Sequence, residues 1–490
     1  MSSGNDNHYN AVHYDVVIIG LGPTGAMMAN FLGLQGIRTL VLEREPKMYD
    51  LPRAVHFDDE IMRAFQSVGI SQSLSKKVIV NKGMRFCDYA GRLLLDWPRE
   101  QQITKNGWHA SYRLHQPDLE TELRANLEKY PHVTVKLGCK AMKLVERDRD
   151  VEILYQPQEG KEETVSASYI VGCDGARSLV RRAMDVEMEH LGFEQRWLVI
   201  DVILKREMPG LDDRTIQYCD PVRPATYCRN PGLRRRWEFA LREDESDAQM
   251  TERTKILDLI SHWISPDDAT LERTAIYLFQ SCVAQKWNKK RLFLAGDAAH
   301  LTPPFMGQGM CAGIRDACNL SWKLAEVCLG NAPEELLRTY ESERKPNAVH
   351  YIQTAVRLGE LINQMGENKE VKQPVKMESI HSTLGPGLGD ADDRLRGQLF
   401  PQFELPDSGW SDDFVGFKPF RVSRHGTNSQ DDQLVVFNGN DDEAVAKIMD
   451  DLGVNEVLVR PDRYILASAI GNNSCAKTYQ SVINEAGAPT

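Results

Sequence analysis

Two glycine-containing segments far apart in the chain have the residue types of a nucleotide site. The first spells Gly-Leu-Gly-Pro-Thr-Gly, and its glycines are Gly20, Gly22 and Gly25. Such a turn before a helix brings backbone N–H groups close to a pyrophosphate. The second begins at Gly296 and continues through Asp297, whose carboxylate can bind the hydroxyls of a ribityl chain, into a Pro/Gly-rich turn. Together the two segments indicate a flavin dinucleotide, FAD.

The first motif lies in the local structure that it requires. Residues 14–19 are a short apolar run typical of a buried parallel strand, residues 26–36 have a helical pattern, and residues 38–42 form the next strand. This is a βαβ unit, and Glu43 at the end of its second strand is placed to bind a ribose. A glycine fingerprint alone is a weak signal. With its strands and acid in register, it favours a cofactor site over a purely structural turn.

Two aspartates follow predicted strands at residues 169–172 and 291–295, and so lie at the carboxyl edge of the same sheet, where ligands bind: Asp174 and Asp297. For Asp297 the alternative is a helix N-cap, because two alanines follow it. The turn of residues 303–310 leads into a long helix, whose free N–H groups can stabilise negative charge on a reduced flavin ring. His300 is assigned a structural role. Residues 133–135 and 151–155 are predicted to pair as strands.

The size and charge of the chain limit its architecture and its partners. A chain of 490 residues forms two or three domains. Its formal net charge of −11 argues against nucleic acid as a partner, and no apolar run approaches the ~20 residues that span a bilayer. None of the ten cysteines forms a C-x-x-C pair, and the N-terminus has no apolar signal segment, which together favour the cytoplasm. No set of residues suggests a metal site.

Beyond these motifs, the chain resembles the class A FAD-dependent aromatic hydroxylases, the group of p-hydroxybenzoate hydroxylase and phenol hydroxylase. Within that group it is most similar to the 3-(3-hydroxyphenyl)propionate hydroxylase branch. The resemblance is strong over the first 350 residues and weaker in the tail. The similar segments are residues 52–54, 58–60, 218–224, 315–324, 399–402 and 460–462.

The resemblance implies an α/β fold with three parts. A Rossmann-like FAD-binding domain would comprise residues 1–190 and 285–360, with substrate-side strands within 80–115. A substrate domain would take residues 191–284, where alternating apolar residues from 197 to 241 already predict an antiparallel sheet. After a linker at 361–398, residues 399–490 would form a thioredoxin-like C-terminal domain without redox cysteines.

The resemblance also assigns cofactor contacts. It implies that Arg44, Arg53 and Gln116 contact the FAD phosphates or ribityl chain, and that Asp174 and Arg177 serve the cofactor and the encounter with NAD(P)H. Backbone N–H groups of the Pro/Gly-rich turn would contact the pyrimidine edge of the flavin, at Gly307, Gln308, Gly309 and Met310. Cys311 departs from the pattern, because many relatives have asparagine there.

Substrate and catalytic residues are expected on both sides of the flavin. The predicted catalytic residues are His56, Tyr218, Tyr227 and Pro304, and the predicted substrate contacts are Trp237, His56 and Tyr218. A histidine has a pKa near working pH, so His56 could take a phenolic proton. For each of these side chains ordinary packing is the alternative.

The activity that the resemblance implies is an FAD monooxygenase reaction. NADH or NADPH would reduce the flavin, O2 would give a C4a-hydroperoxyflavin, and a phenol such as 3-(3-hydroxyphenyl)propionate would be hydroxylated, ortho to its hydroxyl. Two alternatives stay open: a tailoring hydroxylase of a polyketide or other natural-product phenol, and a non-catalytic FAD-binding protein. A disulfide reductase is excluded, because the chain has neither a redox cysteine pair nor a second nucleotide fingerprint. A homodimer is suggested by the resemblance alone, and no membrane partner is expected.

Overall fold

Two eight-stranded sheets dominate the architecture. The structure is a computed structural model that describes residues 12–49, 53–88, 90–366, 382–390, 392–405, 409–424, 434–438, 442–470 and 479–485. Helices pack on the sheets, and the mixed α/β class predicted from the sequence is confirmed. No helix within these residues is long and apolar enough to cross a membrane.

The first sheet has a parallel centre built from apolar runs. Its parallel strands are, in order, Leu292–Leu294, Glu163–Gly172, His13–Ile19, Thr39–Leu42 and Val133–Lys136. Asn288–Lys289, Val151–Pro157 and Cys139–Glu146 extend it in antiparallel pairs. The predicted pairing of residues 133–135 with 151–155 is wrong. Strand Val133–Lys136 pairs in parallel with Thr39–Leu42, whereas Val151–Pro157 forms a hairpin with the strand directly before it.

The second sheet is largely antiparallel, as its alternating sequence predicts. Its strands are, in order, His300–Leu301, Ala269–Ala284, Met188–Leu204, Arg234–Ala240, Ala225–Arg229, Thr215–Tyr218, Gly83–Cys87 and Leu93–Pro98. The helices Asp247–Met250 and Arg253–Ile260 cover one face and form a separate hydrophobic core with it. The other face turns toward a three-stranded sheet made of His56–Asp58, Ser111–Arg113 and Ile79–Val80.

Three long helices complete the nucleotide-binding part: Pro23–Leu34, Gly309–Cys328 and Thr339–Gly366. The shorter helices are Asp59–Ser67, Ser71–Leu74, Gln116–Asn126 and Leu179–Ala183. The helix Thr339–Gly366 extends into the predicted linker at 361–398. The last helical turn continues to Gly366 because Leu361 and Ile362 are buried in an apolar cluster against the second sheet. Residues 367–381 of that linker lie outside the described residues.

The C-terminal part has its own small sheet and core. Its strands are, in order, Val435–Asn438, Phe420–Ser423, Glu456–Val459 and Ile465–Ala469, and a short hairpin joins Glu404–Leu405 to Gly409–Trp410. The helices are Ser411–Val415, Glu443–Leu452 and Tyr479–Glu485. The thioredoxin-like assignment and the domain boundaries stay predictions.

Candidate active site

The glycine turn at the end of the first strand is shaped for close backbone contact. Gly20 has φ +100°, and a Cβ there would lie 2.4 Å from the carbonyl oxygen of Cys173. A Cβ on Gly25 would lie 2.0 Å from the carbonyl oxygen of Gly20. At Gly22 the space is open, and the helix Pro23–Leu34 begins there with no side-chain cap and no acid in its first turn. Its N–H groups are therefore available, and the residues fit a pyrophosphate.

Glu43 is anchored beside this turn. Its carboxylate accepts hydrogen bonds from the backbone N–H of Leu21 at 2.7 Å and of Glu45 at 2.9 Å. These bonds orient the carboxylate at the carboxyl end of strand Thr39–Leu42, where the ribose is predicted to bind. Arg44, the next residue, is exposed and pairs with Glu45 at 3.2 Å. The structure brings Glu43 to the glycine turn and leaves the cofactor contact of Arg44 a prediction.

Asp297 lies in a turn that is held in place by the buried carboxylate of Asp316. Gly296 has φ +61°, and Asp316 accepts a hydrogen bond from its N–H at 3.0 Å. The same carboxylate lies 2.7 Å from Nε2 of His300 and 3.0 Å from Nε of Arg344, all buried. His300 is thus structural, as predicted.

The carboxylate of Asp297 itself is exposed and makes no hydrogen bond to any residue that the structure describes. It does not act as the N-cap of a helix, which was the alternative interpretation. Surrounding atoms desolvate the carboxyl and raise its pKa, although nearby Arg53 opposes the shift. An acid held in a cleft with free oxygens is suited to bind ribityl hydroxyls.

The Pro/Gly-rich turn leads into a second uncapped helix start. A short helical turn, Pro304–Met306, leads to Gly307, which has φ +65°, and the helix Gly309–Cys328 begins without a side-chain cap. The side chain of Gln308 is held between Asp58 and Arg315, at 3.0 Å from each. This turn can therefore offer backbone N–H groups to a flavin, while the Gln308 side chain serves the fold.

His56 supports the turn and is fully engaged. Its Nδ1 lies 3.1 Å from the carbonyl oxygen of Gly307, and its Nε2 lies 2.7 Å from Oγ of Ser111. Because Ser111 accepts from Asn81 at 2.9 Å, its hydroxyl proton is available to Nε2, which assigns the Nδ1–H tautomer to His56. Burial, together with the charge of Arg113, lowers the pKa of His56 to about 4. The imidazole is neutral at pH 7 and has no free nitrogen for a substrate proton.

The remaining predicted cofactor residues divide between the cleft and the scaffold. The carboxamide of Gln116 accepts from the backbone N–H of Arg53 and of Ala54, at 3.2 and 2.6 Å, so it shapes that segment. Arg53 itself is exposed and stacks 4.6 Å from the ring centroid of Tyr49. The carboxylate of Asp174 caps the helix Leu179–Ala183 by accepting from the N–H of Leu179 at 2.5 Å.

The structure also places Arg177 and Cys311, whose local environment the sequence did not indicate. Arg177 is exposed. Cys311 is buried under the turn, with Sγ 3.8 Å from the carbonyl oxygen of Gly307, and burial raises its pKa well above the usual thiol value. A neutral buried thiol at this position packs as a small apolar side chain.

Three predicted pocket residues lie on the helix-covered face of the second sheet. Trp237 is fully buried there, and its ring centroid is 5.2 Å from that of Tyr227. The hydroxyl of Tyr227 donates to the carbonyl of Asp212 at 3.0 Å, and that of Tyr218 accepts from Trp263 at 2.8 Å. The structure therefore does not bring these three side chains together with His56.

The opposite face of the same sheet carries polar residues that sequence reasoning missed. Arg236 binds Asp201 with two hydrogen bonds of 2.7 and 3.1 Å and donates to the backbone carbonyl of Arg53 at 2.7 Å. Glu238 lies 3.6 Å from Arg236, and burial raises the pKa of its carboxyl. Charged residues that alternate with Trp and Phe along one strand were the available signal.

An apolar cluster beside the Pro304–Met306 turn completes the site. It joins the second sheet to the helix Thr339–Gly366 and includes Phe86, Cys219, Leu358, Leu361, Ile362, Trp97, Phe305 and Met306. Aromatic and aliphatic side chains next to a flavin turn, with polar groups alongside, are the usual lining of a small-molecule pocket.

Comparison with known protein families matches residues 13–355 to the FAD binding domain family, and the chain belongs to it. A probable NADH-specific resorcinol 4-hydroxylase of Rhodococcus jostii (strain RHA1) is 38% identical over 70% of this chain and 65% of its own length. A 3-(3-hydroxy-phenyl)propionate/3-hydroxycinnamic acid hydroxylase of Burkholderia vietnamiensis (strain G4 / LMG 22486) is 37% identical over 79% of this chain and 70% of its own. The chain thus spans 65% and 70% of these two relatives.

Solved structures show the same fold. The ternary complex of aklavinone-11 hydroxylase with FAD and aklavinone superposes with a TM-score of 0.79 at 22% identity, covering 94% of this chain and 96% of that one. The rebeccamycin biosynthetic enzyme RebC with reduced flavin gives 0.77 at 20% identity, covering 95% and 98%.

Proposed function

We propose that this protein is an FAD-dependent monooxygenase that hydroxylates a phenolic substrate with NADH or NADPH and O2. The observation that carries the proposal is the arrangement of the cleft. The two uncapped helix starts and the free carboxylate of Asp297 would form a cradle for FAD, and an apolar cluster lies beside the Pro304–Met306 turn, where the flavin would bind. The hydroxylases that are 37–38% identical to this chain support the phenolic substrate class.

The residues of the chain divide the work of the reaction. Bound FAD would supply hydride acceptance and oxygen activation. The N–H groups at Gly22 would hold the pyrophosphate, Asp297 would hold the ribityl chain, and the N–H groups after Gly307 would stabilise negative charge at the pyrimidine edge. The apolar cluster would exclude water from the space beside the flavin, which favours product over H2O2.

Proton removal from the phenol is assigned to Glu238 in place of His56. Both ring nitrogens of His56 are engaged. Glu238 faces the flavin side of the sheet, and its pKa, raised by burial, makes it a stronger base than an exposed carboxylate. Arg236, at 3.6 Å, stabilises the ionised form.

The test is NAD(P)H oxidation by the FAD-loaded protein over a panel of phenols, with H2O2 and hydroxylated product measured in parallel. We expect 3-(3-hydroxyphenyl)propionate or resorcinol to accelerate oxidation and to give a product with little H2O2. Acceleration only by large natural-product phenols would favour a tailoring hydroxylase. If no phenol supports oxidation of either NADH or NADPH, the enzyme assignment is wrong and a non-catalytic FAD-binding protein is favoured.

We also propose a cytoplasmic homodimer, on the family resemblance and the cysteine usage of the sequence. Light scattering of the FAD-loaded protein and cell fractionation test these two points.

A further inference from the structure

Arg113 is a buried cation without a carboxylate partner. It lies opposite His56 in the three-stranded sheet, and its guanidinium donates to the hydroxyl of Thr215 on the second sheet. Its exposed fraction is 8%. No acid within the described part of the chain comes within ion-pair distance of it, so most of its N–H groups have no protein acceptor.

Arg99 is a second cation beside the first. It follows strand Leu93–Pro98, and its guanidinium carbon lies 4.3 Å from the ring centroid of Trp97. Burial and the positive charge of Arg113 lower the pKa of Arg99, and both arginines lower the pKa of His56, so the two charges are close neighbours. Arg99 too forms no ion pair with any residue that is described.

The acids that face this pair are already engaged. Asp58 binds Arg315 at 2.6 Å and Gln308 at 3.0 Å, and caps the helix Asp59–Ser67. Asp59 accepts from Thr104 at 2.6 Å and Asn106 at 2.9 Å. Glu238 lies beside Arg236. Among the residues that the structure describes, no acid therefore forms an ion pair with either of these two partly buried positive charges, an arrangement that costs free energy unless an anion joins them.

The pair lies at the end of the apolar cluster. Trp97, on which Arg99 stacks, belongs to that cluster together with Phe86, Phe305 and Met306 of the flavin turn. We propose that Arg99 and Arg113 bind a carboxylate on the side chain of the phenolic substrate, while the cluster holds its ring. This inference rests on the proposed function and narrows it to anionic phenols. A guanidinium matches a carboxylate with two parallel hydrogen bonds.

The experiment compares acids with their uncharged amides on the FAD-loaded protein. Perturbation of the flavin absorbance by 3-(3-hydroxyphenyl)propionate, 3-hydroxybenzoate and the two corresponding amides gives Kd without turnover. The variants are Arg113→Gln, Arg99→Gln and Arg113→Lys. The control is Arg92→Gln, an exposed arginine of the same hairpin that pairs with Asp88 at 2.6 Å. FAD content and melting temperature verify that each variant folds.

We expect the wild type to bind at least one acid more tightly than its amide. Arg113→Gln and Arg99→Gln should each weaken the acid by about 10- to 100-fold and the amide by less than about twofold. Arg113→Lys should recover part of the loss, because it keeps the charge without the planar fork.

Three results would overturn the inference. The wild type could show no preference for the acids, or the arginine variants could lose equal affinity for acid and amide. The variants could also show a higher KM for NADH in place of the acid effect, which would assign the two arginines to a nucleotide phosphate. The binding measurement does not depend on turnover. If the wild type oxidises no NAD(P)H but the arginine variants still lose affinity for the acids, the proposed function is contradicted and this binding site is not.

Discussion

The ring of His56 holds the carbonyl oxygen of Gly307, with 3.1 Å between Nδ1 and that oxygen. The turn that is predicted to present backbone N–H groups to the flavin is thus tied to the three-stranded sheet that carries Arg113 and Ser111. His56 therefore joins the turn at Gly307 and the three-stranded sheet in one hydrogen-bonded unit.

Replacing Gly307 by alanine should destabilise this unit. The residue has φ +65°, and an added Cβ would lie 2.8 Å from Cβ of His56. We expect a loss of about 1–3 kcal/mol of unfolding free energy and a lower flavin content. Urea unfolding and the ratio of flavin to protein absorbance measure both. Gly210→Ala, at an open site without positive φ, is the control. Unchanged stability and flavin content in Gly307→Ala would contradict the account.

Stability should fall as the pH drops through the range set by His56. Its pKa is about 4 when folded and 6.5 in an unstructured chain, so between these values the unfolded state binds more protons. The contribution is complete above pH 6.5 and is lost as the pH falls toward 4, up to about 3 kcal/mol. The free energy of unfolding of the wild type and of His56→Asn is measured between about pH 4.5 and 7. It should depend less steeply on pH in the variant.

The variant His13→Asn, at an exposed histidine, is measured in parallel as the matched control. If His56→Asn and the wild type show the same pH dependence, the imidazole is not held neutral by the fold.

Asp297→Asn should weaken FAD binding without loosening the FAD-free protein. The side chain is exposed and makes no hydrogen bond to the described residues, so its removal costs the fold little. Loss of charge-assisted hydrogen bonds to the ribityl chain should raise the Kd for FAD about tenfold. Fluorescence titration of FAD measures this, with Asp148→Asn on an exposed hairpin as control. An unchanged Kd would remove Asp297 from the cofactor site.

Glu238→Gln should impair hydroxylation and spare FAD. If Glu238 takes the phenolic proton, the variant should lower kcat by about 10²-fold near neutral pH, and the defect should shrink as the substrate phenol ionises at higher pH. The pH profile of product formation, with H2O2 as a second readout, tests this. Glu207→Gln, which removes a half-exposed partner of Arg235, is the control. A defect that does not change with pH would assign Glu238 a structural role.

The C-terminal part should depend on one buried ion cluster. Arg460 binds Glu343 of the helix Thr339–Gly366 at 2.8 Å, and Lys323 binds the same carboxylate at 2.8 Å, all fully buried. These cations hold the pKa of Glu343 well below its usual range. Arg460→Met should cost about 3–5 kcal/mol, because it leaves a buried charge short of a partner. Limited proteolysis should then cut the C-terminal part faster, whereas Arg424→Met, at an exposed pair, should not.

The sequence sufficed wherever a motif is local. The glycine spacing at Gly20, Gly22 and Gly25 requires one backbone geometry, and the acid at Glu43 follows within the same βαβ unit. Asp297 was placed by the strand before it, because parallel strands end at a common edge. The backbone geometry of the glycine turn and the positions of Glu43 and Asp297 were therefore predictable, whereas their contacts with FAD stay predictions.

The substrate side was not predictable in the same way. Both faces of the second sheet are buried, so alternation in the sequence does not say which face covers the flavin. Trp237 and Tyr227 were assigned to the site, whereas the helices Asp247–Met250 and Arg253–Ile260 take that face, and Glu238 and Arg236 take the other. The role of His56 depends on Ser111 and Gly307, contacts that no local pattern encodes.

The helix Thr339–Gly366 connects two separate parts of the structure, and this matters for any truncation of the C-terminal part. Its first half carries Glu343, which forms an ion pair with Arg460 of the C-terminal part. Its last turns carry Leu358, Leu361 and Ile362, which belong to the apolar cluster. The same helix therefore contacts both the C-terminal part and the apolar cluster beside the Pro304–Met306 turn. Removing the C-terminal part would leave the buried carboxylate of Glu343 with Lys323 and without Arg460, so a shortened protein should lose stability in the same helix that borders the apolar cluster.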